Sequence, residues 1–198
     1  MTDGWKKQLM TALRFTIVTT IVCGVIYPLA VTALAQALFP ERANGQLVVK
    51  QGRVAGSRII GQAFRGPGYF HSRPSGAGTG YDATASGSQN LGPTNQALVE
   101  RVKGDVEKLQ AEKPGAAVPV DLVTASGSGL DPEISPAGAE FQVARVARER
   151  GLTEARVREL VRGATEQRQW GFLGEPRVNV LELNLKLDEA ATAPPTAK

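Results

Sequence analysis

FTIVTTIVCGVIYPLAVTALAQALF, Phe15 to Phe39, runs for 25 residues without a charged side chain. At the α-helical rise it covers roughly 37 Å, enough to cross a hydrocarbon core of about 30 Å with some tilt. A helix lying against a soluble core would carry a charged face, and this one has none. The competing reading is a cleaved leader, because Lys6 and Lys7 precede the run and Ala33-Leu34-Ala35 offers the small residues of a cleavage site. The apolar part of a leader is only about 7–15 residues long, so the length favours a retained anchor. Thr16, Thr19, Thr20, Gly24 and Pro28 interrupt the apolar surface, and small or kink-permitting residues suit packing against other helices.

The flanks set an orientation. Residues 1–14 carry Lys6, Lys7 and Arg14 against Asp3, whereas the far side opens with Glu41 and Arg42. Positive charge stays on the cytoplasmic side, which predicts a cytoplasmic N-terminus and an exported domain over residues 40–189. Lys50, Arg53 and Arg58 narrow that bias. The net charge of +4 is spread thinly through the chain. Nucleic-acid binding would need a concentrated basic patch, and none is present. Cys23 is the one cysteine and lies in the span, so the domain forms no disulfide and binds no metal through thiolates.

Beyond the span, the apolar pattern predicts an α+β domain. Val48 and Val49, the turn Gln51-Gly52-Arg53, then Val54, Ile59 and Ile60 read as a strand pair. Residues 65–95 are rich in Gly, Ser, Asn and Pro, yet Tyr69, Phe70, His71 and Tyr81 lie among them. Flexible linkers are poor in aromatics, so this is read as an ordered, irregular loop. Leu98, Val102, Val106 and Leu109 predict a helix that stops at Lys113-Pro114-Gly115. A short strand is expected around Val118–Val123, followed by a second glycine-serine loop from Thr124 to Pro136. Ser135 before Pro136 starts a helix with Ala139, Val143, Val146 and Ala147 on one face, ending at Gly151. Thr153 caps the next, with Val157, Leu160, Val161 and Ala164 inward. Leu181, Leu183, Leu185 and Leu187 alternate with polar residues, predicting a final strand over Arg177–Leu187. Residues 190–198 read as a disordered tail.

Catalytic signatures are weak. Thr124 to Asp131 lacks the lysine of a phosphate-binding P-loop, and Pro132 occupies the position where a dinucleotide motif needs glycine. The N–H groups at the Ser135-Pro136 helix start are what remains for an anion. His71 is the sole histidine and no Gly-x-Ser-x-Gly elbow exists. Asp82, Asp121 and Asp131 are scattered without metal-ligand spacing. The arginines from Arg145 to Arg177 are interleaved with Glu149, Glu154, Glu159 and Glu166, which reads as a solvated helix face.

Several separated motifs resemble one family. They are Tyr69-Phe70-His71-Ser72-Arg73-Pro74-Ser75, Tyr81-Asp82-Ala83, and Ser86-Gly87-Ser88-Gln89-Asn90 running on to Asn95. Asp121-Leu122-Val123-Thr124-Ala125-Ser126-Gly127-Ser128-Gly129-Leu130-Asp131-Pro132 is the most specific. Val118-Pro119, Ile134-Ser135-Pro136, Gln142, Arg145-Val146-Ala147, Arg150-Gly151-Leu152 and Gly174-Glu175-Pro176-Arg177-Val178-Asn179-Val180-Leu181-Glu182-Leu183-Asn184 complete the set. Over residues 8–188 the chain resembles the C subunits of potassium-transporting ATPases, the KdpC family. Glu133 stands where that family usually has histidine, and Gly138 where it usually has alanine.

The resemblance implies a non-catalytic subunit of an ATP-driven, high-affinity potassium importer in the bacterial inner membrane, with its domain periplasmic. The implied partners are a channel-like A subunit, a P-type ATPase B subunit and a small F subunit. Potassium is the transported ion, and ATP enters through the ATPase subunit. The family's C subunit is described as a catalytic chaperone that raises the ATPase's affinity for ATP, a role that would fall on Gln142. His71, Asp82, Asn90, Asn95, Ser126, Ser128 and Asp131 are loop candidates for the ion entrance or a partner interface. The alternative is a membrane-anchored periplasmic hydrolase or binding protein.

Overall fold

Pro28 decides the shape of the span. It has no N–H, and its ring would strike the carbonyl four residues back, at Gly24. In the computed structural model, which describes residues 3–192, a π-turn absorbs this. Helix α1 (Asp3–Ile21) passes into the π-turn Val22–Ile26, where the Tyr27 N–H donates to Val22 O, and resumes as α2 (Tyr27–Leu38). From Gly4 to Leu38 the helix is long and apolar enough to cross a membrane. Two of its hydroxyls bond within the helix: Thr11 Oγ1 donates to Lys7 O at 2.9 Å and Thr19 Oγ1 to Phe15 O at 2.8 Å. A short turn of helix, α3 (Pro40–Ala43), follows.

The domain opens with the expected hairpin, β1 (Leu47–Lys50) and β2 (Arg53–Ser57), but the second strand ends before Ile59 and Ile60, expected in it, which lie in a turn. Residues 65–95 contain no regular element, as expected. Helix α4 (Gln96–Glu112) lies shallow, with Leu98, Val102, Val106 and Leu109 only half-buried. Helix α5 (Pro136–Arg150) starts at Ser135, whose side chain accepts the Gly138 N–H. It ends at Gly151 in the left-handed conformation, φ +65°. Helix α6 (Glu154–Gly163) is capped by Thr153.

Two expected strands are corrected. Around Val118–Val123 the chain forms a 3-10 turn, Val120–Leu122. Pro119 removes a ladder donor there. The Asp121 carboxylate accepts the Ser135 N–H at 2.7 Å, tying the turn to the start of α5. At the C-terminus only Arg177–Asn179 is a strand, and Val180–Thr192 is helical (α7). The leucine alternation misleads because the buried Val180, Leu183, Asn184 and Leu187 fall at helical spacing, with Leu181 buried beside them, while Leu185 is only half-buried. Of the tail expected over 190–198, residues 193–198 lie outside the described residues.

The main sheet is small and antiparallel. Strand β5 (Arg177–Asn179) lies between β3 (Glu133–Ile134) and β4 (Thr165–Glu166), with Ile134 and Thr165 both opposite Val178. The core is filled by Ile134, Val143, Val146, Val157, Val178, Leu183 and Leu187. One loop residue joins it: Phe70, fully buried among the helices.

Candidate functional site

A loop that buries a phenylalanine must find partners for the peptide groups it carries inside. Residues 70 and 71 find them in two side-chain amides. Asn184 on α7 accepts the Phe70 N–H through Oδ1 at 2.9 Å and donates through Nδ2 to Phe70 O at 2.9 Å. Gln142 on α5 accepts the His71 N–H through Oε1 at 2.8 Å and donates through Nε2 to His71 O at 3.0 Å. Each amide does what a neighbouring strand would do, so an extended loop segment is held between helices without a sheet. Gln142 Nε2 also donates to Gly138 O, and Arg145 Nη2 donates to Gln142 Oε1 at 2.7 Å. The Gln142 amide is therefore fully committed within the chain.

The arginines of α5 fix the segment just before. Arg145 donates to the carbonyls of Pro67 and Tyr69 and pairs with Glu112 at 3.2 Å. Arg150 donates to Gly68 O at 2.6 Å, pairs with Asp188 at 2.9 Å and stacks on the Tyr69 ring. These two face the loop, which corrects the reading of the whole arginine series as a solvated face. Arg158, paired with Glu140 and Glu154, keeps to that reading.

The two glycine-rich segments are themselves knit together. Gly87 N–H and Ser86 Oγ both donate to Ser128 O, at 2.9 and 3.0 Å. Ser75 Oγ donates to Gly129 O at 2.6 Å and accepts the N–H groups of Ala77 and Tyr81. Arg73 bridges the pair, donating to Asp131 Oδ2 at 2.8 Å and to Thr124 O at 3.2 Å. The Tyr81 hydroxyl donates to Arg73 O. At Gly129, φ is +68° and an added Cβ would lie 2.5 Å from Ala77 N. Only glycine permits so close a crossing of two backbones.

Each sequence candidate has a place in this body. Asn95 caps α4, its Oδ1 accepting the Ala97 N–H at 2.9 Å. Asp82 accepts the Thr84 N–H and hydroxyl, which hold its carboxyl below the usual range. Ser128 Oγ accepts the Leu130 N–H and lies 3.4 Å from Ser126 Oγ. Asp131 combines its Arg73 pair with an accepted N–H from Glu133. Asn90, at φ +51°, turns the chain. The structure brings Ser126, Ser128 and Asp131 together in one loop, with Asp82, Asn90 and Asn95 on the other.

A cavity of about 410 Å³ lies beside the clamped segment, with Phe64, His71, Arg73, Tyr81, Leu109 and Arg145 in its wall. Burial pushes the His71 pKa down and the Tyr81 pKa up. His71 Nε2 lies 2.9 Å from Gly66 O, a backbone partner. Burial also lowers the Arg145 pKa, against the opposing pull of Glu112.

Residues 9–189 match the family model described as KdpC, the c chain of K+-transporting ATPases. The chain belongs to the KdpC family. A potassium-transporting ATPase KdpC subunit from Koribacter versatilis is 61% identical over 96% of this chain and 98% of its own length. KdpC subunits from Rhodopseudomonas palustris and Acidobacterium capsulatum are 57% and 56% identical, each over 92% of this chain. The family histidine expected at position 133 is here Glu133, whose Oε1 lies 2.7 Å from Arg177 Nε. Burial raises its pKa while Arg177 opposes the rise.

Sequence reasoning carried Arg73, Ser75, Arg145, Arg150 and Asn184 only as parts of family motifs and missed that they hold the loops. Asn184 was findable, since a polar residue in register with Val180 and Leu187 on a helix must carry a buried amide with partners.

Proposed function

We propose that this chain is a non-catalytic subunit of an ATP-driven, high-affinity potassium importer, anchored by its span and stabilising the assembly of a channel-like subunit, a P-type ATPase and a small F subunit. The observation that carries this reading is the family match from residue 9 to residue 189, which takes in both the span and the domain. Two features support an assembling role. The loops are cross-bonded to each other through Arg73, Ser75 and Ser86. The hairpin leaves Val49 and Val54 exposed, surface that a partner would cover.

The N-terminus is cytoplasmic and the domain periplasmic in this reading, from the charge flanking the span. ATP binds the ATPase subunit, and the domain is on the other side of the membrane from cytoplasmic nucleotide. If the chain raises ATP affinity, it does so through the assembly, with Gln142 acting by holding residue 71 in place. Residues 65–95 and 124–135 meet a partner near the external potassium entrance.

Purification in mild detergent tests the subunit role: a large channel-like subunit and an ATPase should accompany the chain. Potassium-stimulated ATP hydrolysis should fall when it is withheld and return when it is added back. A chain that purifies alone and leaves hydrolysis unchanged overturns the proposal.

A further inference from the structure

The connection between β4 and β5 carries Arg168-Gln169-Trp170-Gly171-Phe172-Leu173-Gly174-Glu175. It is a built tip. Gln169 and Leu173 exchange N–H···O bonds at 2.9 Å in both directions, and Gly171 N–H donates to Arg168 O at 3.1 Å. Arg168 pairs with Glu175 across its base. Trp170 holds φ +53°, a left-handed backbone that favours glycine and strains a side chain of this size. That strained residue is 84% exposed, its ring 6.4 Å from that of Phe172, which is 67% exposed. Leu173 is exposed beside them. A folded domain has no internal use for an ordered turn that points its largest side chain into water.

We infer that this tip is an interfacial anchor that inserts Trp170 and Phe172 among lipid headgroups. Two observations select a lipid surface over a protein. The first is size. An aromatic side chain offers about 150–250 Å², so two mostly exposed rings supply about 300 Å². A stable protein contact needs about 800 Å² on each side. The second is the tether. Residues 39–46 join the membrane-spanning helix to β1, and eight residues reach at most about 28 Å when fully extended. A domain on so short a leash stays at high local concentration against a bilayer, where a small apolar area suffices because the span carries the main attachment. Tryptophan with a polar base of Arg168 and Glu175 has the chemistry of the membrane–water boundary, apolar ring and N–H donor together.

The inference rests on the membrane anchor alone and not on which subunits assemble with it. Trp5 and Trp170 are the only tryptophans, so the Trp5→Phe chain reports Trp170 alone. That full-length chain is placed in phosphatidylcholine–phosphatidylglycerol nanodiscs with and without lipids brominated high on the acyl chain. The expected result is a blue-shifted Trp170 emission that loses most of its intensity to the brominated lipid. Trp5→Phe with Phe172→Ser and Leu173→Ser, both exposed and free to change without unfolding the core, should shift the emission to the red and abolish quenching. A red, unquenched Trp170 overturns the proposal. So does a Trp170 that turns blue only when the other subunits are added, which would make the tip a protein contact.

Discussion

Gly129 is the residue at which the two loops depend on each other. A Cβ there would meet Ala77 N at 2.5 Å and Gly87 O at 2.6 Å, both backbone atoms that cannot swing aside. Its φ of +68° adds strain for any other residue. Gly129→Ala should therefore destabilise the domain by about 2–4 kcal/mol, read as a lower denaturant midpoint for the full chain in detergent. Gly127, in the same run, has open space around it and ordinary φ, and Gly127→Ala should change the midpoint little. Equal effects at both positions would refute the interlock. Gln142 makes a second test at this scale. Gln142→Ala leaves the His71 peptide and Arg145 without partners and should cost about 2–4 kcal/mol. Gln142→Glu keeps the acceptor for His71 N–H and Arg145 but turns an oxygen toward His71 O and Gly138 O, so it should also destabilise. If either variant lowered ATP affinity in an assembled pump while the domain's midpoint stayed at the wild-type value, Gln142 would have a role beyond holding the loop.

Among the elements, α7 separates two readings of one leucine run. A strand would bury Leu181, Leu183, Leu185 and Leu187 alike, whereas the helix buries Leu181, Leu183 and Leu187 and leaves Leu185 only half-buried. Leu183→Ala should cost about 2–5 kcal/mol and Leu185→Ala clearly less, measured by thermal or denaturant unfolding. Asn184→Leu should be as damaging as Leu183→Ala despite its apolar gain, because it orphans both the N–H and the carbonyl of buried Phe70. The alternation of Leu181 to Leu187 was true of the sequence and irrelevant to the fold, since Val180 and Asn184 complete a helical set that outweighs it. Helices with conventional ends were legible: Ser135-Pro136 and Thr153 cap where their side chains say they should, and Gly151 ends α5. The Val118–Val123 segment was not, because its conformation is set by Asp121 reaching a peptide 14 residues later. The candidate loops were recognisable as ordered from their aromatics. Which residues hold them was hidden, because Gln142, Arg145 and Asn184 lie on helices 71 to 114 residues away from their loop partners.

For the molecule as a whole, pH above the ordinary aspartate range should act chiefly through two groups of opposite sign. His71 is the only histidine, and burial lowers its pKa with a further push from Arg145, while Gly66 O and Glu112 oppose. The unfolded chain then binds the proton more readily than the folded one. Stability contributed by neutral His71 is present above the ordinary histidine value of about 6.5 and is lost as pH falls below it. Glu133 runs the other way. Burial raises its carboxyl pKa against the pull of Arg177, so the folded state keeps the proton longer. Its contribution is greatest below the ordinary glutamate value and declines as pH rises through the range just above it. The two slopes oppose one another where they overlap between the carboxylate and histidine ranges, and each can be unmasked. His71→Asn should remove the loss on mild acidification, leaving a midpoint that improves as pH falls. Glu133→Gln should do the reverse and steepen the acid loss. Denaturant midpoints of the full chain in detergent, taken from about pH 4.5 to 7.5, give both slopes at once. A wild-type acid slope that survives His71→Asn would move the titrating group elsewhere, and Asp82, whose carboxyl the Thr84 hydroxyl and N–H hold low, would be the next to test.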